Sequence, residues 1–221
     1  VPDDPGQIEN AIVPLVTAEA GIEFLGDVAE AGLDQLLSEG FWRDLPIVGT
    51  AVAVFKTARN VRDALFLKKL AKFMLEAREA PPSERHRFAA ELTDPEKLRD
   101  AGEHLILLLE RLDHMGKPGL VGRLFRARIM NEISQADFEL MAGAVDRLLM
   151  QQLKDAVSFY ASEPRPQFPP EKLQALAFVG LVRVIARGNG AGAFDAMMAG
   201  ADLHYEPNDL GKDFVAIIGR A

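Results

Sequence analysis

Cysteine is absent from all 221 residues. That excludes a disulfide-stapled module, a zinc finger, an iron–sulfur protein and a thiol enzyme, because each needs the sulfur. Phosphate-cradling loops are absent too: there is no Gly-x-x-x-x-Gly-Lys-[Ser/Thr] and no Gly-x-Gly-x-x-Gly opening a helix. No Gly-x-Ser-x-Gly elbow occurs, and serine is scarce, with only Ser38, Ser83, Ser134, Ser158 and Ser162. The four histidines, His86, His104, His114 and His204, form no His-x-x-x-His pair. Long apolar runs are missing as well. Leu45 to Phe55 is the longest charge-free stretch in the first third, about half of the ~20 residues a transmembrane helix needs. An excess of acids, giving a net charge of -8, excludes a globally basic nucleic-acid coat.

What is present is core-forming material. Hydrophobic residues make up 48% of the chain, enough to rule out a disordered tail. The pattern is helical nearly throughout. Residues 8–38 place apolar side chains at three- and four-residue spacing, with Glu19, Glu23, Asp27, Glu30 and Asp34 as the wet side. Pro46 and Gly49 mark a turn. Residues 61–78 form a strong amphipathic helix whose polar sector holds Arg62, Lys68, Lys69, Lys72 and Glu76. Pro81-Pro82-Ser83 opens a short helix. Asp94 then caps a helix with Pro95 at its first position, expected to run to about Met115 and to stop at Gly116. The next opens at Lys117-Pro118-Gly119 and reaches about Asn131. Ser134 with Asp137 resembles a capping box and starts one long helix to about Ala161. Four prolines between Pro164 and Pro170 mark the expected domain boundary, giving a helical bundle over 1–163 and a smaller module over 164–221. That module reads as a helix over Glu171–Gly180, a strand over Leu181–Ala186, a glycine loop at 188–192, a strand around Leu203–Glu206, and a last helix capped by Asn208.

The C-terminal text resembles the end of a winged-helix domain, in which a helix ending in Gly-Leu leads into a wing hairpin and a Tyr-x-x-Thr-x-x-Gly phrase enters a closing helix. Gly180-Leu181 and Tyr205 to Gly211 match, with Asn208 in the place of Thr and Pro207 inside the phrase. Residues 44–140 are similar to bacterial all-helical proteins of unknown function. The shared features are the Pro46-Ile47-Val48-Gly49 turn, an Asp-x-x-Phe-x-Lys-Lys-Leu helix from Asp63, a Leu-x-Gly-x-x-Phe-x-Ala helix from Leu120 and an Ile-Ser-x-x-x-Phe start at Ile133. The first resemblance implies a small α+β module at the C-terminus. The second implies a bacterial origin and a helical fold and brings no activity with it, so the chain is expected to be mainly α, a helical bundle followed by that module.

Charge is uneven along the chain. Residues 1–55 carry a balance of -9, residues 56–78 one of +5, and the remainder -4. The basic face formed by Arg62, Lys68, Lys69 and Lys72 is a candidate interaction surface; the competing expectation is that acids of the N-terminal helix cover it within the fold. A DNA-binding wing needs a basic strip, for which Arg183, Arg187 and Lys212 are the candidates. Yet segment 164–221 is net neutral, and helix 171–180 carries Lys172 as its only base; it reads as buried rather than inserted in a groove. Glu110, Asp113 and His114 face one way on a helix turn but read as a solvated helix end. The stretch Arg128–Asp137 lacks the alternating oxygen ligands of a calcium loop. No catalytic residue, cofactor site or metal site is singled out. The expected role is a cytoplasmic, non-enzymatic regulator or scaffold with a protein partner or a second copy of itself. A DNA-binding regulator and a membrane-active effector using the apolar 45–55 turn are the alternatives.

Overall fold

Short oxygen-bearing side chains and prolines open the helices of the computed structural model, which describes residues 61–91, 94–161, 168–187 and 202–220. Eight helices lie among the described residues: α1 (Val61–Ala77), α2 (Pro82–Glu91), α3 (Pro95–Arg111), α4 (Lys117–Ile129), α5 (Gln135–Arg147), α6 (Met150–Ala161), α7 (Pro170–Phe178) and α8 (Asp209–Ile218). Two strands, β1 (Val182–Arg187) and β2 (Asp202–Pro207), sit between α7 and α8 in sequence. The chain is therefore mainly α, with a small antiparallel sheet near its C-terminus. The N-terminal helix of residues 8–38, the apolar turn at 45–55, the glycine loop at 188–192 and the expected boundary at 163/164 lie outside the described residues.

The caps work as their chemistry requires. The Asp94 carboxylate accepts from the Glu96 amide at 3.0 Å, taking up one of the free donors at the start of α3. Ser134 and Asp137 form a complete capping box at the start of α5. The Asn208 side chain accepts from the Gly211 amide at 2.8 Å and opens α8. Helix ends are equally specific. Asn131 adopts φ 58 after α4. Its amide donates to the Arg128 carbonyl, and the Glu132 amide reaches back to Ala127, which together make a Schellman closure. The stretch 128–137 is thus one helix end and the next helix start, with Ser134 and Asp137 engaged in the cap and Glu132 paired with Arg220.

Contacts divide the chain into two compact units, one holding the chain up to Met74 with His86–Glu110, the other Leu75–Arg85 with Arg111–Ala221. In the first, Leu67, Leu70, Phe73 and Met74 of α1 are buried, as are Leu105, Leu108 and Leu109 of α3. These follow the three- and four-residue spacing of an amphipathic helix. The buried stripe of α1 is narrower than its composition suggests, since Leu65 is exposed. In the second unit, α4 packs on α5 and α8, α8 also packs on α5 and α6, α6 packs on α7, and α7 packs on β1. Its core includes Val121, Leu124, Val145, Leu148, Phe159, Leu176, Leu181 and Phe214. The residues on both sides of the proline-rich stretch belong to this one unit.

Two helices differ from the sequence reading. The first, α3, ends at Arg111, not at Met115, and Gly116 caps the following helix instead of stopping this one. The reason is electrostatic and local. An aspartate in the last turn of α3 would face the negative end of the helix dipole. Outside the helix, Asp113 instead meets Lys117, at 2.6 Å. The intervening turn is closed by the Gly116 amide donating to His114 Nδ1 at 2.9 Å and the Lys117 amide donating to the His114 carbonyl at 3.0 Å.

The second difference lies at 134–161, where the expected long helix is two helices, broken at Leu148, whose ψ of 141 is extended. Lys117 is responsible for much of this. Its side chain is 1% exposed, and its ammonium donates to the Asp146 carbonyl at 3.1 Å, one of the orphan carbonyls in the last turn of α5. The Asp146 carboxylate is held by Arg111 at 3.0 Å.

Candidate interaction surface

The helix α7 begins with Pro170 at its first position, where a missing N–H costs nothing. Leu173 and Leu176, three residues apart, turn inward and are buried. At 100° per residue Phe178 lies roughly 140° away from Leu173, and it is 82% exposed. Glu171, Lys172 and Gln174 are exposed with it. The expectation of a buried helix therefore holds for one side only, and the other presents a large aromatic ring to solvent. A left-handed Gly180 (φ 79) ends the helix. Its amide donates to Ala177, and the Leu181 amide reaches back to Leu176, a second Schellman closure, with glycine where φ is positive.

From Leu181 the chain enters the hairpin. Val182 pairs with Pro207, Arg183 with Glu206, Val184 with Tyr205, Ile185 with His204, and Arg187 with Asp202. Alternation sends Val182 and Val184 to one face and Arg183 and Ile185 to the other. Val182 is buried, whereas Val184, one step further out, is exposed. His204 and Glu206 are exposed, as a surface pair should be.

One hydroxyl ties this surface to the helices beneath it. Tyr160, near the end of α6, donates to the Leu181 carbonyl and accepts from the Asn208 amide at 3.1 Å. The Asn208 side chain donates to the Gly180 carbonyl at 2.8 Å while its oxygen caps α8. Asn208 thus joins the end of α7 to the start of α8. A Cβ at Gly211 would collide with both the Tyr160 hydroxyl and the Leu181 carbonyl, so only glycine fits where the sequence has it. Lys172 leans back onto Asp155 at 3.1 Å. Its ammonium also stands 5.8 Å from the centre of the Phe168 ring, which packs edge-on to Phe159. The Lys172–Asp155 pair and the Schellman closure tie α7 to its neighbours.

The sequence-derived cations are distributed as follows. Arg183 is exposed and stands across the ladder from Glu206. Arg187 stands across from Asp202 in register. Lys212 pairs with Asp209 at 3.1 Å. Of the three, Lys212 makes an ion pair with an acid, and Arg183 lies in register with one. On α1, Arg62 forms an ion pair with Glu110 of α3, and Lys69 donates to the Glu110 carbonyl at 2.8 Å. Lys68 is exposed and Lys72 half-buried. Glu110 is accordingly one acid that meets the basic face from within its own unit, while the acidic residues 1–55 lie outside the described set. Asp113 bonds Lys117, whose ammonium holds its carboxyl below the ordinary aspartate value. Among the described residues, no group of three His, Asp or Glu is placed to hold a metal ion, and no helix is long and apolar enough to cross a membrane.

No family model, curated protein or solved structure significantly matches this chain. Sequence reasoning missed three residues. The Phe178 exposure was available from helical phase alone. Tyr160 and Lys117 carried no local signal, because each acts on a segment more than twenty residues away.

Proposed function

We propose that this chain is a non-enzymatic regulatory or scaffolding protein of the cytoplasm. Its C-terminal helix–hairpin–helix, winged-helix-like in its order, makes protein contacts through the outer face of α7. The observation that carries this reading is Phe178. Phe178 stands 82% exposed on α7, and aromatic side chains contribute much of the energy of protein interfaces. Glu171 and Gln174 on the same outward side supply a polar rim.

The charge arrangement supports a protein partner over DNA. A recognition helix needs cations free to reach phosphates and base edges. Lys172 is neutralised by Asp155, Lys212 by Asp209, and Arg183 faces Glu206 across the ladder. A test follows from the position of Phe178. Phe178→Asp removes the apolar anchor without touching the core. Formaldehyde crosslinking in expressing cells should give a discrete complex with the wild-type chain that disappears with the variant. An identical complex with the variant would sink the reading.

A further inference from the structure

Residues 135–161 have the composition and phase of one helix yet form two. At 100° per residue, Met141, Val145, Leu148, Ala156 and Phe159 fall within about 80° of arc, and all five are buried. The apolar stripe therefore crosses the break without losing register. Around the break the sequence Arg147-Leu148-Leu149-Met150-Gln151-Gln152-Leu153-Lys154 consists only of strong helix formers. No proline or glycine explains why the chain leaves the helix at Leu148.

The explanation lies in two side chains that stand in for helical hydrogen bonds. In an unbroken helix the Met150 amide would donate to the Asp146 carbonyl and the Leu149 amide to the Val145 carbonyl. Here the Asp146 carbonyl accepts from the Lys117 ammonium at 3.1 Å, and the Leu149 amide donates to Gln152 Oε1 at 2.8 Å. Asp113 anchors Lys117 at 2.6 Å, and Arg111 holds the Asp146 carboxylate at 3.0 Å. The break is thus held in part from outside the segment, by Lys117 in the turn that precedes α4, and in part by Gln152 within it.

We infer that residues 135–161 are a two-state element. While Lys117 caps Asp146 and Gln152 caps Leu149, the segment is broken, as in this structure; when those caps are lost, it becomes one continuous helix. The two states place the C-terminal module differently. In the broken state α5 and α6 both pack on α8, and Tyr160 at the end of α6 holds Leu181 and Asn208. Straightening the segment redirects α6 relative to α5 and shifts Tyr160, and with it the α7 and hairpin contacts it holds. The turn 112–117 is therefore coupled to the position of the exposed α7 face. This device is independent of what, if anything, binds that face.

The absence of cysteine makes the test direct. Leu140 and Ser158 are both exposed; changed to cysteine in the full chain, they are its only two thiols and take nitroxide labels. A continuous helix sets their Cα atoms about 27 Å apart, and a bend at the break shortens that span. Pulsed electron spin resonance on the otherwise wild-type chain should give one population clearly below this distance. Lys117→Met and Gln152→Ala should each add a population near 27 Å, and the double variant should enlarge it. Gln152 is only half-buried, so its variant carries the test if Lys117→Met does not fold. The inference is overturned if folded variants keep the wild-type distance. It is equally overturned if their distances only broaden while helix content falls, since that is fraying and not fusion.

Discussion

Single atoms decide how the C-terminal module is assembled. The Tyr160 hydroxyl serves the Leu181 carbonyl and the Asn208 amide at once, two backbone groups from opposite sides of the hairpin. Tyr160→Phe leaves both without that partner, and each unsatisfied buried group costs about 1–3 kcal/mol. Urea unfolding should show a loss of that order with an unchanged slope; a loss below ~0.5 kcal/mol would mean that water replaces the hydroxyl freely. Asp113 supports a second residue-scale prediction. Its carboxyl is held below the value of 3.8 it has when free, first by its hydrogen bond from Lys117. A depressed folded-state pKa contributes stability above the unfolded pKa and loses it as pH falls through the folded one. Asp113→Asn removes that contribution. The stability gap between the two proteins should be constant at neutral pH and narrow on acidification below about pH 4. A gap independent of pH down to pH 2 would contradict the pairing.

At the scale of elements, local chemistry was legible and remote chemistry was not. Asp94-Pro95, Ser134 with Asp137, and Asn208 before Asp209 each announce a helix start within four residues, and each starts one. The strands expected over 181–186 from β-branching and around 203–206 from alternation form over 182–187 and 202–207. The break at Leu148 left only a weak trace in its own segment, Gln152 three residues after Leu149, because the other cap, Lys117, is 29 residues from the carbonyl it meets. The early end of α3 was hidden for a related reason: the Asp113–Lys117 pair makes sense only once both lie outside a helix. Ser134→Ala should cost about 1 kcal/mol, since it removes one half of a reciprocal cap. Thermal unfolding checks this, and a neutral result would show that α5 needs no cap once packed on α4 and α8.

For the molecule as a whole, net charge is a poor guide to partners. The -8 conceals a +5 segment over 56–78, and within it Arg62 and Lys69 turn to Glu110 of α3. In the closing helix Lys212 pairs with Asp209, and in the hairpin Arg183 lies in register with Glu206. Among the described residues these pairings set acids beside several of the cations that would have to reach phosphate. On heparin the protein should elute without retention at ~0.1 M salt, and substitution of Arg183 by Glu should not move it; strong retention lost on that substitution would instead favour a DNA-binding wing. The candidate surface that remains is apolar, and the sequence hides it because Phe178 reads as one more core residue until its helical phase against Leu173 and Leu176 is set.

Photo-crosslinking from that position addresses the central claim most directly. A benzophenone amino acid replaces Phe178 in one protein and Ala216, exposed on α8, in another. Both are expressed and irradiated in intact cells. A discrete adduct from position 178, absent from position 216 and identified by mass as one other protein or a second copy of this chain, is the result the account predicts. Equal adducts from both positions, or none from position 178, would contradict it.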